Sequence, residues 1–246
     1  MTDKPFAGKL ALVTGASRGI GAATAEVLGA AGAHVILVAR SSGGLEEVEQ
    51  RIHEAGGSAT IAPLDLADGD SIARLASAVA ERWGALDIML MNAAMLGTLS
   101  PVPTIDAKEF GKLLTLNVGA QQALIAAFDP LLRKSADARV IALTSSVAAK
   151  PRAYWGAYGA SKAAFEALVT AYAEEVRDIS HIRLAIVDPG ATATQMRARA
   201  YPGEDPATIQ TPAFAAAALV RLLRDDFPTG FRLRVAGSAR NQPEAI

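Results

Sequence analysis

Residues 10–21 read LALVTGASRGIG, and the chain then continues as AATAEVLGA. Leu10 to Val13 form an unbroken apolar run, which suits a strand buried on both faces of a parallel sheet. Thr14 closes that run, and Gly15, Gly19 and Gly21 follow before a helical pattern begins. Glycines at a strand-to-helix turn let the backbone fold back tightly and approach a pyrophosphate. The helix N-terminus adds free N–H groups and the positive end of its dipole. Glycines also serve plain turns, so the weight lies in the context: this turn follows the first strand of an alternating α/β pattern.

The alternation runs through the rest of the chain. LALVTG (10–15), HVILVA (34–39), ATIAPL (59–64), LDIMLM (86–91), RVIALT (139–144), IRLAIV (182–187) and RLRVA (232–236) read as strands. Helical segments fall at 19–31, 44–55, 69–83, 106–134, 157–178 and 212–225. Gly56-Gly57 stops the second of these, Asp68 or Ser71 caps the third, and Thr211-Pro212 opens the last. The pattern predicts a doubly wound Rossmann-type α/β/α fold in one domain spanning 1–246, with its core at about 8–237. Segment 194–211 breaks the alternation and reads as a loop or short helix over the sheet edge. Residues 238–246 read as a loose tail.

Composition narrows the function. Net charge is −1, and no run of Lys or Arg stands out among the 246 residues, which argues against nucleic acid or an anionic membrane as partner. With no cysteine, thiolate chemistry and Cys-ligated zinc are excluded. His34, His53 and His181 lack a helical ligand spacing, so no metal is expected. The N-terminus has no apolar signal-peptide core, and no run approaches the ~18 apolar residues of a membrane span. A cytoplasmic protein is the expectation.

The stretch AYWGAYGASK (153–162) holds two of the four tyrosines. Tyr158 and Lys162 stand at i, i+4 on one helical face. Tyr154 has no lysine at that spacing and reads as pocket wall or packing, together with Trp155. A free tyrosine (pKa ~10) is a reluctant proton donor. A nearby ammonium would favour its phenolate; a ~3-unit lowering corresponds to about 4 kcal/mol. Upstream, Ser145 and Ser146 both end a strand and both could bind the substrate oxygen.

The glycine spacing TGxxxGxG, followed by YxxxK in the form YGASK, resembles the short-chain dehydrogenase/reductase family in its compact single-domain branch. The resemblance implies a seven-stranded parallel sheet with NAD(H) or NADP(H) over the strand C-termini. It places Gly15, Ser17, Arg18, Gly19, Ile20 and Gly21 at the cofactor phosphates. Asp65 and Leu66 fall at the adenine, and Asn92 in MNAAM falls at the ribose, although Met91 and Ala94 depart from the family's NNAG. Tyr158 and Lys162 become acid and partner. Strand register and a thirteen-residue separation from Tyr158 select Ser145, with Ser146 as fallback. Asn117 becomes the residue whose backbone holds a relay water. In DPGATAT, Pro189, Gly190, Thr192 and Thr194 would face the nicotinamide carboxamide.

The second strand ends at Ala39, where a carboxylate would bind a ribose 2′-hydroxyl and repel a phosphate. Arg40 and Arg18 instead offer two guanidinium groups, a fork for a phosphate dianion. NADP(H) is therefore expected. The alternatives are a non-catalytic NADP(H) sensor, which would be expected to lose the tyrosine or lysine, and an NAD-dependent alcohol dehydrogenase. A nucleotide-sugar epimerase would show TGxxGxxG and a substrate domain, and an enoyl reductase usually spaces tyrosine and lysine further apart.

WGAYGASK with MRARAYPGEDP also resembles a bacterial subgroup of YciK-type oxidoreductases. That narrower likeness adds no substrate; the resemblance to the short-chain dehydrogenase/reductase family implies a homodimer or homotetramer built on helices 106–134 and 157–178. Substrate contacts are expected from 94–102, 150–156 and 194–211, with no charged clamp. Met95, Leu96, Tyr154, Trp155 and Met196 point to a hydrophobic carbonyl or alcohol of small or medium size.

Overall fold

The structure, a computed structural model, describes residues 4–235 and 244–245. Seven parallel strands form one sheet: β1 (Leu10–Thr14), β2 (His34–Ala39), β3 (Ser58–Pro63), β4 (Ile88–Met91), β5 (Ala138–Leu143), β6 (Ile182–Asp188) and β7 (Phe231–Arg234). The order is β3-β2-β1-β4-β5-β6-β7, as expected for a doubly wound sheet. A two-residue β8 (Glu244–Ala245) pairs antiparallel with β7. That pairing corrects the loose-tail reading for 244–245. Residues 236–243 and 246, with the rest of that reading and the Ala236-Gly237 ending, lie outside the described residues.

The helices are α1 (Gly19–Ala30), α2 (Ser42–Glu54), α3 (Gly69–Trp83), α4 (Ala107–Leu114), α5 (Ala120–Leu132), α6 (Ser146–Ala149), α7 (Gly156–Val176), α8 (Gln195–Ala200) and α9 (Pro212–Arg224). Strand alternation sorts them into two layers. Leu10, Leu12, Val140, Leu184 and Ile186 face a core completed by α3, α5 and α7. Ala11, Val13, Ile141, Ala185 and Val187 face the opposite core, filled from α1, α2 and α9. Every residue of β1 is buried, so its apolar run has no polar face to show.

Capping follows the sequence signals. Asp68, not Ser71, caps α3 by accepting from Asp70 N at 3.1 Å, and Thr211 caps α9 by accepting from Phe214 N at 3.2 Å. The stretch read as one helix at 106–134 is helical, but Thr115–Gly119 forms a π turn around Asn117 between α4 and α5. Such turns relax the regular backbone pairing at one point of a helix. Here Leu116 O accepts from the Gln121 side chain at 3.1 Å. Segment 194–211 contains the short helix that is one of its two readings: α8 and a 3₁₀ turn at Pro206–Thr208 lie within it, and Ala193 N donates to Gln210 O at 2.9 Å.

Candidate active site

Strand order reverses between β1 and β4, which leaves a crevice at their C-terminal ends. The polar groups there fasten the two strands. Thr14 Oγ1 donates to Leu90 O at 3.0 Å and accepts from the N–H groups of Asn92 and Ala93 at 3.0 and 3.1 Å. Asn92 Nδ2 donates to Thr14 O at 2.8 Å and Gly15 O at 3.2 Å. Its amide donors are thereby engaged with the turn itself.

That packing explains the glycines. Gly15 sits at φ +65°, and a Cβ there would lie 2.7 Å from Asn92 Nδ2. A Cβ on Gly21 would lie 2.3 Å from Gly15 O. Arg18, in extended conformation, heads α1 with no side-chain cap. The first turn of α1 thus has no side-chain cap on its N–H groups, which fits an anionic group at this terminus. Gly19 is opposite Thr194, whose Cγ2 would meet an added Cβ at 3.3 Å. The turn and the loop after β6 thus form two sides of one cradle whose narrowness depends on glycine.

At its outer end Arg18 donates to Gln195 Oε1 at 2.9 Å, tying the turn to α8. Arg40 is exposed at the end of β2. The start of α2, which the sequence reading passed over, lies alongside: a Cβ on Gly44 would meet Ser17 Cβ at 3.0 Å, and Ser41 Oγ accepts from Gly44 N at 3.4 Å. Asp65 is exposed and holds Ala67 N at 3.0 Å in an Asx turn, while Leu66 beside it is buried.

Across the crevice α7 carries the titratable pair. Tyr158 and Lys162 are buried, and the Ser145 hydroxyl lies beside the phenol. Ser146 instead accepts weakly from Arg152 at 3.5 Å, so the two serines are distinguished by their partners. Burial pushes the Tyr158 phenol well above its ordinary value, and the Asp188 carboxylate pushes the same way. The Ser145 hydroxyl opposes both. Burial lowers Lys162 to about 8, against the pull of Glu166. Lys162 Nζ donates to Leu143 O at 2.8 Å; among the described residues it makes no hydrogen bond to the phenol. In the protein without cofactor, burial and Asp188 raise the phenol; the lowering expected of the lysine belongs to the state with an oxidised nicotinamide beside it.

The surrounding residues fix this pair. The Asn117 side chain accepts from Met95 N at 2.8 Å and donates to Met95 O at 2.9 Å and Ser161 Oγ at 3.0 Å. Both of its amide donors are thereby used. Glu166, one turn beyond Lys162, accepts from Thr144 Oγ1 at 2.5 Å and Arg232 Nη1 at 2.8 Å. Its i+8 spacing from Tyr158 was readable on the same helical face but was not singled out. Gln210 was also missed: it donates to Pro189 O and to Thr192 Oγ1, the latter at 2.8 Å, and so pins the Pro189–Thr192 loop. Thr192 is buried with its hydroxyl inside that loop, and Thr194 caps α8 by accepting from Arg197 N at 3.2 Å.

A cleft of about 140 Å³ opens beside Ser145, between Trp155, Gly190 and Ala191. Leu96, Val147 and Met196 pack around Tyr158, as an apolar pocket requires. Trp155 meets the Tyr158 ring edge-on at 5.9 Å. Tyr154 does not serve as wall: it has φ +71° and is 62% exposed, so Trp155 takes that place. A larger cavity of about 300 Å³ lies at the opposite strand ends, near His181 and Phe227. Ion pairs such as Arg183–Asp226 and Arg183–Asp137 occupy its charges, and none of the residues above reaches it. No group of three metal-ligating side chains, and no helix long and apolar enough to cross a membrane, occurs among the described residues.

Comparison with known proteins agrees with this geometry. The family model described as short chain dehydrogenase matches residues 9–205. The oxidoreductase YciK of Escherichia coli (strain K12) is 36% identical over 221 residues, covering 89% of this chain and 87% of that protein. A short chain dehydrogenase from Escherichia coli CFT073, solved as a complex with NADPH, superposes with TM-score 0.90 at 35% identity, covering 95% of this chain and 99% of the other. A Shigella flexneri short chain dehydrogenase complexed with NADP gives TM-score 0.90 at 34% identity, with coverage of 95% and 99%.

Proposed function

The chain belongs to the short chain dehydrogenases and is an oxidoreductase of that family; from this premise we propose that it is an NADPH-dependent reductase of ketones and aldehydes, reversible as an alcohol dehydrogenase. The observation that carries the reading is the buried Tyr158, with the Ser145 hydroxyl beside its phenol and Lys162 buried one turn on. A protonated phenol is the form a reduction needs at its start.

The glycine turn and the α1 N-terminus would hold the cofactor's pyrophosphate, and the Pro189–Thr194 loop its nicotinamide end. Arg18, Arg40 and the start of α2 would take the 2′-phosphate that distinguishes NADP. Bound there, the nicotinamide supplies the hydride for the carbonyl carbon. The chain's own groups do the rest. Ser145 orients the carbonyl oxygen, Tyr158 gives it a proton, and Lys162 holds positive charge beside the resulting phenolate. Glu166 keeps that lysine charged against its burial. The Asn117 backbone, with its side chain tied to Met95 and Ser161, is the candidate for relaying the replacement proton. One domain carries all these groups, and homodimer or homotetramer assembly belongs to the same proposal.

A screen of aldehydes, ketones and quinones, followed by NADPH absorbance, tests the reading; oxidation of NADPH by none of them would sink it. Cofactor choice has its own test. NADPH should be preferred over NADH at least tenfold in kcat/KM, and Arg40→Asp should remove that preference. Loss of a charge-assisted contact costs about 1.5–3 kcal/mol, or ~10–100-fold. An unchanged NADPH/NADH ratio in the variant would place the discrimination elsewhere.

The reaction should also titrate with Lys162. Its pKa is depressed, so the ammonium is present below about 8 and is lost as pH rises through that value. Reductive kcat/KM is therefore expected to be level near pH 6–7 and to fall by about tenfold per pH unit well above 8. A flat profile to pH 10 would mean that the ammonium is not required.

A further inference from the structure

The substrate cleft is not purely apolar, contrary to the sequence expectation. Arg152, Arg197 and Arg234 all line it, along with one carboxylate, Asp188. Two of these arginines have acidic partners. Arg197 holds Glu204 with two bonds of 2.6 Å, which also places its guanidinium 3.7 Å from the Tyr201 ring centroid. Arg234 stands 3.7 Å from Asp188. Arg152 differs: among the described residues no carboxylate lies within ion-pair distance of it. Its hydrogen bonds go to two neutral hydroxyls, Tyr201 Oη at 3.2 Å and Ser146 Oγ at 3.5 Å.

Tyr201 directly follows α8, and Ser146 directly follows Ser145 and lines the cleft. Arg152 is itself exposed and lines the cleft, and with one N–H donor on each hydroxyl three of its five are left over. We propose that Arg152 is the recognition site for a carboxylate on the substrate, so that the natural substrate is an oxo acid whose carbonyl lies at Ser145 and Tyr158. The inference rests on the carbonyl-reductase reading and extends it to a substrate class. A carboxylate matches the planar fork and single positive charge of a guanidinium. The cleft volume of about 140 Å³ favours a small acid. Leu96, Trp155 and Met196 would then contact the carbon skeleton between acid and carbonyl.

The test uses matched pairs: 4-oxopentanoate, 5-oxohexanoate and 4-acetylbenzoate, each with its methyl ester. For at least one pair the full-length enzyme should show an acid-to-ester ratio of kcat/KM of tenfold or more, expressed mainly in KM. Arg152→Gln should reduce that ratio at least tenfold, and Arg152→Lys should restore part of it. An independent readout is calorimetric binding of 4-acetylbenzoate to the enzyme without NADPH, which Arg152→Gln should weaken tenfold. Equal use of acids and esters by the wild type, or a ratio that survives in Arg152→Gln, overturns the carboxylate site. Arg152-dependent binding of the acid without reduction of any carbonyl would instead overturn the reductase reading and leave the site standing.

Discussion

Replacing Tyr158 with phenylalanine is expected to lower kcat for carbonyl reduction by about 10³-fold or more while NADPH binding changes by no more than a few-fold. General acid catalysis is worth ~10²–10⁴-fold, and nothing beside Tyr158 offers a second phenol: Tyr154 is 62% exposed and Tyr201 lies beyond Trp155. The substitution keeps the ring that packs with Leu96, Val147 and Trp155, so the fold should tolerate it. Removing the hydroxyl leaves Ser145 on the cleft, so the stability loss should stay at about 1 kcal/mol or below. The measurements are single-turnover rates for the chemistry and fluorescence titration for NADPH. Turnover within tenfold of wild type would assign proton donation to another group. Tyr154→Phe is the control, with an effect expected on substrate preference at most.

The catalytic pair was legible because its information is local. Tyr158 and Lys162 share one helical face at fixed spacing, and the alternation of apolar runs placed that helix after the fifth strand. The glycine turn was legible for the same reason. What escaped depends on where distant segments meet. Gln210 matters through Pro189 and Thr192, twenty-one and eighteen residues away, and Arg152 matters through Tyr201, forty-nine away. Neither contact has a periodic signature. Tyr154 was misplaced because backbone decides its direction: at φ +71° it lies in the left-handed region, rare for a bulky residue. The π turn at Asn117 is likewise a rearrangement of backbone pairing within an otherwise continuous helical pattern. Spacing brings Lys162 to the same face as Tyr158, but burial is a property of the assembled fold, and spacing does not show that it raises the phenol and lowers the lysine.

Gly21→Ala is expected to raise the NADPH dissociation constant by about 100-fold and to lower the melting temperature by roughly 5–10 °C, although the added methyl touches no catalytic group. The new Cβ would stand 2.3 Å from Gly15 O and 2.6 Å from Asn92 Nδ2. Neither neighbour can yield cheaply. The first is backbone in a turn whose φ of +65° already requires glycine, and the second is held by Thr14 O at 2.8 Å. Overpacking at such a site costs about 1–3 kcal/mol, and in a protein of this size each kcal/mol moves the midpoint by ~2–4 °C. The cofactor effect is separate and larger, because relief of the clash has to move α1 away from β1, and the helix N–H groups move with it. A displacement of that kind misaims every donor of the phosphate cradle together. Asn92→Ala separates the two effects. It deletes the side-chain contact but leaves the Gly15 carbonyl clash, so Gly21→Ala should remain harmful in that background. Full recovery of NADPH affinity in the double variant would show that Asn92, and not the backbone of the turn, sets the width of the cradle.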